Sequence, residues 1–118
     1  MKHGTGTLVS KIDLTKFVGG FAGNKKSGDG QMEWIDPNSK YTDYMGNFVD
    51  DDFSGMGILA YRDGRIFKGD FAHGVPIEGL LTYQNGDEYC GCLLKDKREG
   101  YGVLKYAQTG NTYSGEFV

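Results

Sequence analysis

The stretch that decides the fold is YMGNFVDDDFSGMGILAY, residues 44–61. Its first five residues have the pattern aromatic-x-Gly-x-aromatic, and its last seven have the pattern Gly-x-Gly-x-apolar-x-aromatic. Both patterns have a period of two, which is the period of a β-strand. The stretch therefore predicts two antiparallel strands, joined by a polar hairpin loop at residues 49–54.

Both patterns recur along the chain. The first pattern occurs at 17–21, 44–48, 67–71 and 113–117, and at 89–93 with leucine in the last place. The second occurs at 28–34, 55–61 and 100–106, and its second half alone at 79–83. The central glycines of the first pattern are 27, 23, 22 and 24 residues apart. We therefore predict one repeat domain over residues 1–118, with a half repeat at 1–10, repeats at about 15–40, 41–64, 65–86 and 87–110, and a half repeat at 111–118.

Turn signals separate these repeats at residues 62–64, 84–86 and 108–110. The expected fold class is all-β: an elongated, single-layer, twisted antiparallel meander of about ten strands, roughly 50 Å long. A glycine leaves a hollow on a sheet face, over which a ring from the neighbouring strand can lie. We assign this structural role to Gly19, Gly46, Gly57, Gly69, Gly91, Gly102 and Gly115.

Tyr-x-Gly-x-Phe followed by Gly-x-Gly-x-Leu-x-Tyr, with a period near 23 residues, resembles the MORN repeat. The resemblance covers nearly the whole chain, and it implies a β-hairpin module for scaffolding, dimerisation or partner binding, often near membranes or the cytoskeleton. Phospholipid binding has been proposed for the family, and MORN modules also occur fused to lipid kinases, methyltransferases and exchange factors. The third repeat departs from the pattern, because residues 73–78 are one residue short and Ile77 replaces a glycine. A bulge is expected there.

Composition and charge narrow the function classes. The formal net charge is −3, whereas nucleic-acid binders carry a basic excess, and the same charge argues weakly against anionic lipid. Cys90 and Cys92 are alternate residues of one strand and form a poor disulfide, so a reducing, cytoplasmic location is expected, with peripheral contact to membrane or cytoskeleton as an option. The two half repeats favour a piece of a longer protein with strand edges open for pairing.

No catalytic constellation, cofactor site or metal site is predicted. The Gly-x-Gly segments lack the lysine and helix of phosphate-binding loops. Cys90 and Cys92 could supply half of a zinc site shared between two chains, or be free thiols; His3 and His73 are single and distant. The acidic run at residues 50–52 lacks the glycine and distal glutamate of an EF-hand loop. The basic residues at 25–26 and at 95, 97 and 98 are either phosphate-binding spots or solvated loops.

The aromatic side of the sheet is the strongest candidate for a binding site. Its rings hold the sheet together, but a single layer would leave them partly open to an extended peptide or an amphipathic helix. The candidate partner-binding residues are Phe17, Phe21, Trp34, Tyr44, Phe48, Tyr61, Phe67, Phe71, Tyr83, Tyr89, Tyr106 and Tyr113, with Phe117 continuing the row. The opposite side mixes charged residues with Met45, Met56, Ile58, Leu80, Tyr101 and Val103. It is either a second contact surface, such as a homodimer interface, or ordinary scattered apolar exposure.

Overall fold

The computed structural model describes residues 4–11, 14–94 and 97–117 of the chain. These residues form ten strands: β1 (Gly4–Ser10), β2 (Thr15–Ala22), β3 (Lys25–Trp34), β4 (Tyr41–Val49), β5 (Asp52–Tyr61), β6 (Ile66–Ala72), β7 (Val75–Thr82), β8 (Glu88–Leu94), β9 (Lys97–Lys105) and β10 (Thr112–Phe117). They make one open antiparallel sheet in chain order, measuring 52 × 25 × 20 Å. The prediction of an elongated meander of about ten strands is therefore confirmed.

The hairpin turns inside the repeats are shorter than the sequence suggested. Strand β4 continues to Val49 and β5 begins at Asp52, so the turn contains only Asp50 and Asp51, with φ of 48° and 74°. The prediction of a six-residue loop at 49–54 is wrong. Two consecutive residues with positive φ are typical of a type I′ turn, whose twist matches that of paired strands. The same geometry occurs at Gly23-Asn24 and His73-Gly74.

Adjacent hairpins are also joined at their turns. The amide of Asp51 donates to the carbonyl of Lys26 at 3.1 Å, and the amide of Lys26 donates to the Asp51 carboxylate at 2.7 Å. Between the β4–β5 hairpin and the β6–β7 hairpin, the amide of Gly74 donates to the carbonyl of Phe53 at 3.0 Å. These bonds align one turn beside the next and hold the turn side of the sheet in register.

A row of glycines crosses the whole sheet, with one residue on each strand. Register places each glycine directly opposite the next across all nine strand pairs. We call this row the glycine ladder: Gly6, Gly19, Gly30, Gly46, Gly57, Gly69, Gly79, Gly91, Gly102 and Gly115. The side of the sheet on which the motif rings cover the ladder is the ring face, and the other side is the reverse face.

The first glycine of each Gly-x-Gly has a different role from the ladder glycine. Gly28, Gly55 and Gly100 have φ of 77°, 77° and 68°, and each lies where the register of its hairpin shifts. A β-bulge of this kind needs a left-handed residue, for which glycine has no steric penalty. The third hairpin has Ile77 at this place. The register of β6 and β7 shifts by one residue there, because Asp70 pairs with Glu78 and Phe71 with Pro76, which leaves Ile77 without a paired residue on β6. The irregularity expected at Ile77 is present, but the other three hairpins contain one too.

Candidate interaction surfaces

The rings of each repeat meet edge to face on the ring face. In the pairs Phe17–Phe21, Tyr44–Phe48, Phe67–Phe71 and Tyr113–Phe117 the ring centroids are 5.2 to 5.3 Å apart and the planes cross at 82° to 87°. Aromatic pairs prefer this geometry because the positive edge of one ring meets the negative face of the other. The two residues are four apart on one strand with a ladder glycine between them, so the first ring can lie back over that glycine.

Each ladder glycine is covered by a ring of its own strand or of a strand paired with it. A Cβ added to Gly46 would lie 2.7 Å from the Tyr44 hydroxyl, and one added to Gly57 would lie 2.5 Å from Tyr44 Cε1. The Tyr44 hydroxyl donates to the carbonyl of Asn47, three residues along its own strand, at 2.9 Å. The expectation that a ring from a neighbouring strand covers each glycine therefore holds only for the second glycine of each pair. One tyrosine covers two opposed glycines, and its hydroxyl fixes it there.

Burial leaves little of the central ring face open. Eight of the proposed partner-binding rings are between 0% and 7% exposed, namely Phe17, Phe21, Tyr44, Phe48, Tyr61, Phe67, Phe71 and Tyr89. They form a single cluster with Met32, Leu59, Leu81, Leu93 and Leu104. The expectation of a partly open aromatic stripe is therefore wrong for the centre of the sheet. These rings form the core, and a partner can reach only the residues at its margins.

Phe53 is a core residue that the sequence analysis missed. It stacks on Tyr44, with ring centroids 4.0 Å apart and planes 11° apart, and it contacts Phe48, Phe71 and Trp34 edge to face. The residue in the equivalent place, after each hairpin turn, differs between repeats. Lys26 places its ammonium 5.6 Å from the centroid of Phe17. In these two repeats the position covers the first ring with an aromatic or a cationic side chain. The third repeat has the buried Pro76 there.

One margin of the ring face carries exposed aromatic surface. Trp34 and Tyr41 are half-buried, with ring centroids 5.2 Å apart, and Tyr41 packs on Tyr61 at 5.4 Å. Lys40 lies 5.2 Å above the Tyr41 ring and Arg65 lies 4.3 Å above the Tyr61 ring. We call these five residues the rim cluster. It combines flat apolar surface with two cationic side chains at the edge of the core, of which Arg65 is paired with the Asp63 carboxylate at 2.9 Å.

Arg62 fixes the long turn beside the rim cluster. Its Nε donates to the carbonyl of Ser39 at 2.8 Å, and one terminal nitrogen donates to the carbonyls of Asp36 and Tyr41 at 3.0 and 3.2 Å. A planar guanidinium suits this task because its donors point in fixed directions. The turn at residues 35–40 is therefore ordered by a side chain from the next repeat, and Trp34 and Tyr41 are held on either side of it.

The other candidate aromatic residues lie towards β10. Arg98 places its guanidinium carbon 5.6 Å from the centroid of Tyr83 and 5.3 Å from that of Phe117. Tyr106 and Tyr113 are 41% and 46% exposed. Trp34, Tyr83, Tyr106 and Tyr113 are thus the predicted binding residues whose rings still present surface to a partner.

Two buried tyrosines have shifted ionisation. Burial raises the pKa of Tyr44 to about 12, against the lowering effect of the hydrogen bond to Asn47. Burial also raises the pKa of Tyr89, whose hydroxyl donates to the carbonyl of Cys92 at 2.8 Å. Both phenols serve as hydrogen-bond donors to backbone within the core. Neither has the lowered pKa that activates a nucleophile.

The cysteines and the basic residues of the sequence analysis do not converge. Cys90 and Cys92 are free thiols on the reverse face. Within residues 4–11, 14–94 and 97–117, no group of three or more His, Cys, Asp or Glu side chains is placed to hold a metal ion. Lys26 lies 3.9 Å from the Asp51 carboxylate, so it is not a free phosphate-binding charge. Lys95 and His3 lie outside the described residues.

In the part of the chain that the structure describes, no helix has the length and apolar character needed to cross a membrane.

Comparison with known proteins agrees with this architecture. The model of the MORN repeat matches residues 44–64 and 89–109. Mouse and human alsin are each 31% identical to the chain over 122 aligned residues, which cover 96% of this chain and 7% of alsin. Rat alsin is 30% identical over 106 residues, covering 80% of this chain and 6% of alsin. The chain thus spans less than a tenth of the curated relatives it matches.

MORN repeats are generally non-catalytic modules for protein or membrane interaction. The two matched segments coincide with the two hairpins in which Tyr44 and Tyr89 each cover a pair of ladder glycines. With a meander of such hairpins and similarity to alsin over nearly its whole length, this chain belongs to the MORN-repeat family.

Proposed function

We propose that this chain is a non-catalytic scaffold that binds a protein partner at the rim cluster. The observation that carries the proposal is the contact between Trp34 and Tyr41, two half-buried rings held at the edge of a rigid core beside Lys40 and Arg65. Tryptophan, tyrosine and arginine are the residues most enriched at binding hot spots. Because Arg62 already orders the neighbouring turn, a partner would lose little of its binding free energy in ordering this surface.

The chemistry of the rim cluster favours a particular class of partner. An aromatic or aliphatic side chain can lie against Trp34 and Tyr41. Arg65 Nε is already paired with the Asp63 carboxylate at 2.9 Å, so the apolar contact is the main attraction that the cluster offers. The partner is therefore an extended peptide or a helix that presents an aromatic or aliphatic anchor. Tyr83 and Tyr106 extend the accessible aromatic surface along the same margin.

The proposal is tested by affinity capture from the source cells with the wild type and two single-residue variants. Trp34→Ser should lose the captured protein, whereas Val75→Ser, a matched apolar residue that is 51% exposed at a hairpin turn, should retain it. The urea midpoint of each variant shows whether the fold is kept. Equal capture by Trp34→Ser and wild type, with unchanged midpoints, would contradict a rim site. Tyr61→Ala is unsuitable because Tyr61 is only 3% exposed and its loss would destabilise the core.

A second candidate function is that of a regulatory appendage. It is favoured by the small share of alsin that the chain matches, about 7%. Under this proposal the repeats act within a longer protein by holding a partner, or another segment of that protein, at the rim. Deletion of residues 15–110 from such a protein should change the regulation of its activity without abolishing it.

A cytoplasmic location is also part of the proposal, with attachment to membrane or cytoskeleton through a protein partner. It is supported by Cys90 and Cys92, which are free thiols, and Cys90 is exposed. Exposed free thiols persist in reducing compartments. Localisation of a tagged chain by microscopy tests this directly.

A further inference from the structure

Cys90 and Cys92 lie on the same side of β8, with the ladder glycine Gly91 between them. Strands β7 and β8 pair without a register shift from Cys92 to Glu88, so β8 is a regular strand at this place. Side chains at alternate positions of a regular strand point to the same face of the sheet. The two thiols therefore share the reverse face, where Cys90 is exposed and Cys92 is half-buried.

The spacing of the two thiols does not suit a disulfide. Alternate residues of an extended strand are about 6.8 Å apart, and their Cβ atoms keep roughly that separation because they point the same way. A disulfide needs Cβ atoms about 3.5–4.5 Å apart, so the strand would have to bend at Gly91. The hydroxyl of Tyr89 donates to the carbonyl of Cys92 at 2.8 Å, and its ring lies against Gly91 on the ring face. These contacts hold β8 extended.

The same spacing suits one metal ion held between the two sulfurs. Metal–thiolate bonds are about 2.3 Å long, so two sulfurs on opposite sides of one ion are about 4.6 Å apart. In staggered rotamers, two cysteines on one strand face can lean toward each other and bring their sulfurs closer than their Cβ atoms, with the backbone unchanged. A linear, two-coordinate site is therefore compatible with β8 in its observed conformation.

The neighbours of the pair do not complete a site with more ligands. Cys90 is directly opposite an apolar residue on each neighbouring strand. Glu78 and Glu99 are opposite Cys92, but no set of three or more His, Cys, Asp or Glu side chains in the described part of the chain is placed to hold a metal ion. Two thiolates without a third donor leave zinc incompletely coordinated, whereas they match the soft ion Cu(I), which accepts two ligands in a line.

We propose that Cys90 and Cys92 bind one Cu(I) ion as a linear dithiolate on the reverse face. Each thiol releases its proton to solvent as its copper–sulfur bond forms, so the complex carries one net negative charge. Copper arrives and leaves as Cu(I), and no electron is transferred. The carboxylates of Glu78 and Glu99 repel this charge, and hard oxygen donors suit other metals, so they are neighbours of the site and not ligands. The site is on the other side of the sheet from the rim cluster and does not depend on the function proposed there.

The test is competition for Cu(I) between the reduced full chain and bicinchoninate, whose coloured copper complex fades as the protein takes up the ion. Wild type should bind a single Cu(I), and Cys90→Ser or Cys92→Ser should lower the affinity about a hundredfold or more, because loss of a residue that only hydrogen-bonds a ligand already costs up to that much. Copper should also raise the urea midpoint of wild type and leave that of the cysteine variants unchanged. Met56→Ser is the matched control. It removes a soft sulfur donor that is 60% exposed on the same face, and it should bind copper as wild type does.

Glu78→Gln distinguishes the two-thiolate site from one that uses a carboxylate. It should keep or raise the affinity, since it removes a negative charge beside an anionic complex, and weaker binding would make Glu78 a ligand and overturn the proposal. Undiminished copper uptake by the variant that carries both serines would overturn it as well. So would Zn(II) bound as tightly as Cu(I), or a copper-dependent dimer in light scattering that holds one ion between two chains.

Discussion

The ring of Tyr44 lies against Gly57 so closely that a Cβ on Gly57 would come 2.5 Å from Cε1 and 2.6 Å from Cζ. Tyr44 and Gly46 are on β4, and Gly57 on β5 is directly opposite Gly46. The Tyr44 ring therefore fits only because neither of these two positions has a side chain. The repeat pattern is thus a steric rule that links adjacent strands. Aromatic and glycine residues must occur together, because the ring needs the space that a missing Cβ leaves and the bare glycine backbone needs the ring to cover it.

We expect Gly57→Ala to destabilise the fold by about 2–3 kcal/mol, since the added methyl group must displace a ring held by its own hydrogen bond. The three atoms nearest to that methyl group all belong to Tyr44, so Tyr44→Leu should rescue much of the loss. Gly46→Ala is the matched control. Its Cβ would also meet the Gly57 Cα at 2.5 Å and the Met56 carbonyl oxygen at 2.7 Å, so Tyr44→Leu should not rescue it. Urea denaturation of the double-mutant cycles measures both effects, and additive losses for Gly57 and Tyr44 would refute the steric coupling.

Tyr44 also predicts a specific sensitivity to alkaline pH. Burial raises its pKa to about 12 from the unfolded value of 10.0, so the protonated phenol favours the folded state. This stabilisation is complete below pH 10 and is lost between pH 10 and 12, because the unfolded chain loses its proton first. The urea midpoint of wild type should therefore fall more steeply over that window than the midpoint of Tyr44→Phe. Parallel curves for the two proteins would show that Tyr44 ionises normally in the fold.

Phe53→Ser should cost about 3–4 kcal/mol because the residue is 7% exposed and stacks on Tyr44. Phe53→Leu, which keeps most of the apolar volume, should cost about half as much or less. Calorimetric melting of the two variants tests this. Equal melting temperatures for Phe53→Ser and wild type would place Phe53 outside the core.

Phe53 is a part of the core that the sequence did not predict. Period two and the paired glycines sufficed to predict the strands, their order and the length of the sheet. The acidic run before Phe53 predicts a loop, because nothing in the local sequence shows that Asp50 and Asp51 adopt positive φ and close a two-residue turn. The open ring face was mispredicted for a related reason. Rings of successive repeats contact each other, as Tyr44 and Phe71 do with centroids 5.1 Å apart, and strand periodicity does not show such contacts.

The turn at His73-Gly74 offers a stabilising change. His73 has φ of 51° and Gly74 has φ of 82°, the conformation that Asn-Gly adopts most readily. His73→Asn should therefore stabilise the protein by roughly 0.5 kcal/mol, and His73→Val should destabilise it by 1 kcal/mol or more, since a β-branched residue resists positive φ. Thermal melts rank the three proteins, and a neutral His73→Val would argue against a left-handed residue at this position.

Arg62→Ala should destabilise the fold by about 1 kcal/mol, because the guanidinium is exposed and water replaces part of its bonding to the turn at 35–40. Arg62→Lys should not restore the loss, since an ammonium cannot direct donors to Ser39 and Asp36 at once. Lys105→Ala, which removes an exposed charge from the reverse face, serves as the comparison. Hydrogen exchange should report faster exchange in residues 35–41 of Arg62→Ala and no change there in Lys105→Ala.

Strand order that follows chain order has a mechanical consequence. Every strand hydrogen-bonds only to its immediate neighbours along the chain. A load pulling residues 4 and 117 apart would act on one hairpin at a time, breaking its bonds in sequence and not in parallel. The module should consequently yield at low force through a series of small extensions, each about the length of one repeat, and re-form in the reverse order when the tension falls.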